Sequence, residues 1–345
     1  MPSGDSASPL GPRPSGGTGV HARSMLFTLF GDYVRHYGGT IWIGSLIALM
    51  AELGFTASAV RAAVSRTTRQ GWLASVRAGR ASYYALTPRG EARVEEAARR
   101  IFKLHPERWD GLWRVIVLPS AGSRDDRAEL RRELGWMGFA QMARGVYVTP
   151  NDLFDRLPAL AERYGLPSAG EMFTARLAGG GCASRRRVPT GSDVSSRPIP
   201  GGDGAAAFAA RHWDLPAIDR AYAAFVEEWR PRLAGWRAGA ARTAGAPDLP
   251  GAEAFVQKTR LVHEFRKFLF IDPGLPGEVL PERWNGVEAR GIFSAAYHLL
   301  SEPALAFFES HYRPAPGGEG GISEGRRNAR RDPFRAATIR SADLW

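Results

Sequence analysis

The N-terminal third of the chain begins with an apolar pattern of helical period. From Ser24 to Gly38 apolar residues recur at three- and four-residue spacing, and the following Gly38-Gly39 pair ends the pattern. The apolar positions are Leu26, Phe27, Phe30, Tyr33, Val34 and Tyr37. We therefore expect an amphipathic helix here, followed by a brief β-like run at residues 41–43.

Two short helices joined by a tight turn are predicted next. Ser45 is a candidate N-cap for a helix from Leu46 to Leu53, with Gly54 just past its end. Thr56 can cap a following helix that ends near Gln70. On a helical projection this second helix places Val60, Ala63, Val64 and Thr67 on one face, and Arg61, Ala62, Ser65, Arg66 and Arg69 on the opposite arc.

A β-hairpin is predicted after these helices. Two β-prone runs, at 72–77 and 82–87, flank a turn that contains Gly79, and the tip carries Arg77 and Arg80. Thr87-Pro88 then begins a charged, Ala-rich helix. The order helix, short strand, helix, helix, hairpin is that of a winged helix-turn-helix, a DNA-binding architecture.

Residues beyond 104 have two further patterns. The apolar run at 112–118, a charged helix at 124–136 and later short strands predict a ferredoxin-like βαββαβ domain. The pattern from 208 returns to helical spacing. The predicted fold is therefore α+β and multidomain, with a disordered leader at 1–23, a winged helix-turn-helix at 24–104, a ferredoxin-like domain at 109–178, a linker at 179–207, a helical C-terminal effector or dimerisation domain at 208–312 and a disordered basic tail at 313–345.

The charge of the chain favours a polyanionic partner. Lys and Arg exceed Asp and Glu by 46 to 35, a formal net charge of +11. Cys182 is the single cysteine, so an intramolecular disulfide and a cysteine zinc site are excluded. No apolar run suits a signal peptide or a membrane span, which predicts a cytoplasmic protein without a membrane partner.

Double-stranded operator DNA is therefore the expected partner of the N-terminal domain. Arginines on the second helix of the pair are suited to guanine edges, and the hairpin arginines to phosphates or the minor groove. The candidate contacts are Arg61, Ser65, Arg66, Thr68, Arg69, Arg77, Arg80 and Tyr83. Tyr83 and Tyr84 alternate in facing, so one of them packs in the core, and the pattern does not say which. A solvated arginine-rich surface is the simpler alternative.

Two long strings carry a resemblance to a known family. The N-terminal string reads FTLFGDYVRHYGG, IWIGSLIALMAELGF, AVRAAVSRTTRQGWL and GRASYYALTPRG, and the C-terminal one LVHEFRKFLFIDPGLPGEVLPERWNGVEARGIF. With these blocks the chain resembles the PaaX family of repressors of phenylacetate catabolism over about residues 25–312. The resemblance implies a homodimeric repressor of aromatic-acid catabolism genes, released from DNA by an aryl-acetyl-CoA thioester such as phenylacetyl-CoA, and a middle domain similar to small CRISPR-associated ferredoxin-like nucleases.

A basic, aromatic-rich segment in the C-terminal string is the candidate effector site. It contains Arg260, His263, Arg266 and Lys267 among phenylalanines, with Trp284 further along. A solvated helix face is the favoured interpretation, because charge runs usually are solvated. The alternative is a phosphate anchor for coenzyme A, with aromatic side chains lining an acyl pocket.

Enzymatic chemistry is not expected. His263-Glu264 lacks the second histidine of a zinc-protease motif, since position 267 is lysine. The middle domain lacks the acidic residue of related nucleases after its first strand, where the chain reads Val117-Leu118-Pro119-Ser120. A nucleic-acid-processing enzyme that uses this domain, without cofactor or metal sites visible in the sequence, is the alternative function.

Overall fold

The computed structural model describes residues 18–103, 108–118, 124–153, 171–177, 202–242, 249–316 and 322–334. The chain divides into two compact units that do not follow the order of the sequence. The first unit comprises Met1–Leu104, Ala223–Leu269 and Gly286–Trp345, and the second comprises His105–Tyr222 and Phe270–Asn285. The mixed α+β class expected from the sequence is confirmed.

The N-terminal part of the first unit contains four helices and a small sheet. These elements are α1 (Thr18–Asp32), a 3-10 turn (Val34–Tyr37), β1 (Thr40–Trp42), α2 (Ile43–Glu52), α3 (Ala57–Arg69), β2 (Leu73–Ala78), β3 (Ala81–Leu86) and α4 (Pro88–Ile101). The antiparallel sheet has the order β1-β3-β2. The helix pair and the hairpin therefore occur in the predicted order.

Local capping signals set most of these boundaries. Gly54 adopts a φ of +86° after α2, a left-handed conformation that glycine tolerates without steric cost. The Thr56 hydroxyl accepts from the Ala59 amide at 3.3 Å, and that of Thr87 from the Gly90 amide at 3.2 Å. The cap predicted at Ser45 is wrong, because α2 begins earlier, at Ile43, and buries Ser45 inside the helix.

The second unit is built on a four-stranded sheet. Its elements are β4 (Trp113–Val117), α5 (Arg124–Trp136), β5 (Ala140–Ala143), β6 (Val146–Thr149), β7 (Glu171–Ala175) and α6 (Gly202–His212). All pairings are antiparallel, in the order β5-β6-β4-β7, and Ile116, Leu130 and Phe139 belong to its apolar core. The second helix of the predicted βαββαβ order falls between β6 and β7, largely in residues 154–170, which lie outside the described residues.

The remaining long helices come from the C-terminal third. They are α7 (Leu215–Arg242), α8 (Gly251–Phe265), α9 (Asn285–His311) and α10 (Ile322–Ala329), and a 3-10 turn (Arg266–Phe270) follows α8. From Ala223 onward α7 belongs to the first unit. Helix α10 lies within residues 313–345, the tail that is expected from the sequence to be disordered, so part of that tail is helical. Phe334, beyond α10, is buried against Phe102 and Phe293, and this apolar packing gives the segment a fixed position.

Helix α1 is the centre of the first unit. Every side chain from Met25 to Phe30 is buried, so this stretch of the helix is covered around its whole circumference and not on one stripe. It packs against α3 and α4, and also against α8. The N-terminal and C-terminal segments thus share one core.

Candidate functional site

The outer face of α3 is a cationic surface. Arg61, Ser65 and Arg69 are exposed, whereas Val60, Ala63, Val64 and Thr67 are buried, as the helical projection predicts. The helix contains no acidic residue. Among the described residues neither Arg61 nor Arg69 has an ion-pair partner, so both guanidinium groups are free to meet an external anion.

Arg66 and Thr68 occupy the flank of this face. Both are half-buried, and the Thr68 hydroxyl is buried without a hydrogen-bond partner in the described part of the chain. Neither side chain is presented outward as fully as those of Arg61, Ser65 and Arg69.

The β2–β3 hairpin carries a second group of exposed basic side chains. Ala78 pairs with Ala81 across a two-residue turn, in which Gly79 adopts a φ of +61°. Arg77 and Arg80 beside this turn are exposed, and neither has an ion-pair partner among the described residues. The tip therefore carries two cationic side chains, as predicted.

Tyr83 must be removed from the candidate DNA contacts. Its side chain is only 9% exposed and lies on the central strand of the sheet, opposite Trp42. The neighbouring Tyr84 is half-buried and more accessible. Alternation along β3 sends the two rings to opposite faces, and Tyr83 is the one that packs inward.

The structure disperses the basic residues proposed for an effector site. Arg260 is exposed, and Lys267 forms an exposed ion pair with Glu264 at 2.5 Å. Trp284 lies in the second unit, where its ring meets Tyr222 at 5.9 Å between centroids. Arg260 and Lys267 are therefore exposed, unlike His263 and Arg266 of the same segment.

His263 and Arg266 face α1 instead of solvent. His263 Nδ1 lies 3.0 Å from Thr28 Oγ1, and Arg266 Nη2 donates to the Ser24 carbonyl at 2.9 Å and also to the Ser24 hydroxyl. Both residues are buried, at 8% and 4% exposure. The favoured interpretation of a solvated helix face is therefore wrong for these two positions.

A buried ionic network beside them escapes sequence analysis. The Lys258 ammonium lies 2.5 Å from Asp32 Oδ2, and the Tyr297 hydroxyl donates to Asp32 Oδ1 at 2.8 Å. The ammonium also lies over the rings of Tyr33 and Tyr297, at 4.4 and 4.1 Å. Burial lowers the pKa of Lys258, and the Asp32 carboxylate opposes that shift. The signal in the sequence is Asp32, the one acidic residue of α1, which follows directly after its apolar run.

A small cavity that opens to solvent lies next to this network. Helices α1 and α4 form one side of it, and residues of α8 and of the turn after it form the other. The apolar lining consists of Phe27, Val94, Ala97, Ala98, Ile101, Phe102 and Val262. Thr28, Asp32 and Arg266 are the polar residues of the wall. The cavity therefore combines an apolar surface with two charged side chains.

Three other features are not found in the part of the chain that the structure describes. No group of three or more His, Cys, Asp or Glu side chains is placed to hold a metal ion there. Within the same residues no helix is long and apolar enough to cross a membrane. Strand β4 ends at Val117 and is followed by Leu118, so no carboxylate stands at the position where related nucleases carry one.

Comparison with known proteins finds matches over most of the chain. A family model described as PaaX-like protein matches residues 21–90, the PaaX protein central Cas2-like domain matches 106–187, and the PaaX-like protein C-terminal domain matches 213–310. The transcriptional repressor PaaX of Escherichia coli (strain K12) is 29% identical over 306 residues, which cover 86% of this chain and 88% of that protein.

A solved structure is also similar. The uncharacterized protein Rv0674 from Mycobacterium tuberculosis has 21% sequence identity and a TM-score of 0.46, over 84% of this chain and 98% of its own. The resemblance noted in the sequence is confirmed by the three family models and the curated relative together: the chain belongs to the PaaX family.

Proposed function

We propose that this protein is a DNA-binding transcriptional repressor whose residues 24–87 form a winged helix-turn-helix. The observation that carries the proposal is the outer face of α3, where Arg61, Ser65 and Arg69 are exposed without an acidic neighbour on the helix. The relative in Escherichia coli is a transcriptional repressor by name, and the match covers most of both chains. We place the repressor in the cytoplasm.

In this proposal α3 is the recognition helix. Its 13 residues span about 20 Å at 1.5 Å per residue, and the major groove is about 12 Å wide, which admits one helix. Arg61 and Arg69 are suited to bidentate contacts with guanine O6 and N7, and Ser65 between them to a phosphate or a base edge. Arg66 approaches the backbone from the flank of the helix.

The hairpin is the wing in this arrangement. Arg77 and Arg80 at its tip are suited to phosphates or to the adjacent minor groove, where basic side chains meet an enhanced negative potential. Tyr84 takes the place of Tyr83 as the aromatic residue available to the DNA backbone, because Tyr83 is buried.

The regulatory part of the proposal rests on the family. The protein would bind as a homodimer, with half-sites one helical turn or a multiple apart. It would control genes of phenylacetate-type aromatic-acid catabolism and leave its operator when an aryl-acetyl-CoA thioester binds. Such an effector can act only if it binds the DNA-incompetent conformation more tightly.

Fluorescence anisotropy with a labelled fragment of the protein's own promoter region tests the proposal. We expect tight binding that unlabelled promoter competes away and unrelated DNA does not, with phenylacetyl-CoA reversing it. Arg61→Ala and Arg69→Ala should each weaken binding by about tenfold or more, the effect of one bidentate base contact. Arg237→Ala, exposed on α7, is the matched control and should bind like the wild type.

Each outcome has a distinct meaning. Selective binding without reversal would retain the repressor and remove this effector. Equal affinity of the α3 variants and the control would remove α3 as the recognition helix. Absence of selective binding in the wild type would overturn the DNA-binding proposal itself.

A further inference from the structure

The outer edge of the small sheet in the first unit is covered by a segment from the C-terminal third. The Trp42 amide donates to the Arg313 carbonyl at 3.2 Å, and the Tyr312 hydroxyl donates to the Thr40 carbonyl at 2.8 Å. The Ala315 amide donates to the Thr40 hydroxyl at 3.5 Å. Because β1 is an edge strand that pairs only with β3, residues 312–315 lie along its other side. We call these four residues the C-terminal strap.

The C-terminal strap fixes the position of one exposed cation. The guanidinium carbon of Arg313 lies over the Trp42 ring, 5.1 Å from its centroid. That ring lies against the first turn of α2, where a Cβ on Gly44 would come within 2.3 Å of it. Arg313 is exposed, and in the described part of the chain no carboxylate forms an ion pair with it. Glu309, the nearest carboxylate along the chain, accepts instead from the Tyr37 hydroxyl at 2.7 Å.

The register of the sheet places Arg313 at the end that carries the hairpin tip. Trp42 pairs with Tyr83, and Tyr83 in turn pairs with Val76. Because Arg313 is hydrogen-bonded to Trp42, it occupies the same row across the sheet. Arg77 follows Val76 and is one position nearer to the tip. Neighbouring strands lie ~4.8 Å apart, so about 14 Å separates the two ends of this row.

We propose that Arg313 binds a backbone phosphate of the same DNA duplex that α3 and the hairpin contact. The inference rests on the proposed DNA-binding function and adds a contact from outside residues 24–87. The row spans about 14 Å, which is close to the ~12 Å width of a major groove, so Arg313 and Arg77 can meet phosphates of one duplex together. A guanidinium group is suited to phosphate because it can donate two parallel hydrogen bonds.

The stacking on Trp42 prepares the side chain for this contact. A free arginine side chain loses rotamer entropy when it binds, and a ring that already restricts Arg313 reduces that loss. The strap itself is anchored by Tyr312, which is buried and packs against Tyr37 and Phe308 at centroid distances of 5.4 and 5.1 Å. The end of α9 therefore determines where this cation stands.

A structural clamp is the alternative role for Arg313, and salt dependence separates the two roles. A clamp would hold the strap on β1 and affect DNA only through the position of α2, so the number of phosphates neutralised would not change. A phosphate contact releases counterions from the DNA. Its loss therefore lowers the steepness of log affinity against log salt by about 0.9.

Anisotropy titrations of the full chain at several salt concentrations test the contact, with the labelled promoter fragment and an unrelated duplex of equal length. Arg313→Met, which keeps an apolar stem and removes the charge, should weaken binding to both duplexes alike by severalfold and lower the salt slope by about 0.9. Arg313→Lys keeps the charge and should retain the slope. Arg232→Met is the matched control, because Arg232 is an exposed arginine stacked 4.9 Å from the Trp229 ring on α7; it should bind like the wild type.

Unfolding midpoints of the same variants show whether the fold is intact. Arg313 is exposed, so the midpoint of Arg313→Met should match that of the wild type. If this variant is unstable, Arg313→Gln removes the charge with a polar end group and provides the same test. Weaker binding with an unchanged salt slope, or a loss confined to the promoter fragment, would make Arg313 a clamp and overturn the phosphate contact.

Failure of this inference is distinguishable from failure of the proposed function. Wild-type binding with equal affinities for Arg313→Met and Arg232→Met would overturn the Arg313 contact alone and leave the DNA-binding proposal intact. Absence of binding by the wild type would overturn both.

Discussion

The Lys258 ammonium and the Asp32 carboxylate lie 2.5 Å apart, although 226 residues separate them in the chain. Their side chains are 1% and 2% exposed, so water does not screen the pair. Tyr297 completes the coordination of Asp32. The ion pair joins α1 of the N-terminal segment to α8 of the C-terminal segment. Each of the two buried charges is balanced by the other.

Removing one member of this pair should destabilise the fold strongly. Asp32→Asn or Lys258→Met should each lower the free energy of unfolding by about 3–5 kcal/mol, because the remaining charge is buried without its partner. The double variant should cost clearly less than the sum of the two. Urea denaturation measures the free energy of unfolding of all three variants.

The exposed Arg232–Glu228 pair on α7 is the control, expected to contribute at most about 1 kcal/mol. Losses at the buried pair that simply add in the double variant would contradict the expectation.

The wing arginines should act on affinity through phosphates. Arg77→Ala and Arg80→Ala should weaken binding to operator and to unrelated DNA alike, since interactions with phosphates carry no sequence information. Removing one arginine–phosphate interaction should reduce the steepness of log affinity against log salt by about 0.9. Anisotropy titrations at several salt concentrations give both quantities. A weakening confined to the operator would instead assign these arginines to base edges.

Acid should destabilise the protein through His36. Burial, reinforced by the positive charge of Arg35, lowers the pKa of His36 from 6.5 to about 3. The unfolded chain therefore binds a proton at this site between those pH values and the folded chain does not, so stability falls as pH falls from 6.5 towards 3. The maximum slope is about 1.4 kcal/mol per pH unit. Urea denaturation of the wild type and His36→Gln at several pH values should show that stability declines less steeply with falling pH in the variant. Parallel curves would exclude His36 as a source of the acid sensitivity.

The C-terminal segment should contribute to stability through Phe334. The ring is 2% exposed and meets Phe102, Phe293 and Tyr297. Phe334→Ala should lower the free energy of unfolding by roughly 3–5 kcal/mol, the usual cost of emptying a buried aromatic site. Arg330→Ala breaks only an exposed ion pair with Glu302 and should cost at most about 1 kcal/mol. Equal denaturation midpoints for the two variants would show that the segment adds little.

The predictable parts of this fold are those determined by short-range signals. The turn at Gly54, the caps at Thr56 and Thr87 and the hairpin around Gly79 all depend on a few adjacent residues, and all are present. The exposed face of α3 follows from helical periodicity alone.

The parts that sequence analysis missed depend on distant partners. Strand alternation separates Tyr83 from Tyr84, but only the pairing of β3 with β1 and β2 shows which ring is inside. His263 and Arg266 look solvated within their own segment because their partners, Thr28 and Ser24, lie more than 230 residues away in the sequence. Helical periodicity carries no information about contacts between residues that are so far apart in the sequence.

The discontinuity of the first unit has a consequence for the newborn chain. Residues 1–104 leave the ribosome first, yet their core is completed by segments that begin at Ala223 and Gly286. Until α8 emerges, Asp32 lacks its ion-pair partner Lys258, and the side of α1 that packs against α8 has no cover. A nascent or prematurely terminated chain that lacks these later segments therefore exposes apolar surface instead of a completed core, and this part of the protein reaches its final fold only after both segments have been translated.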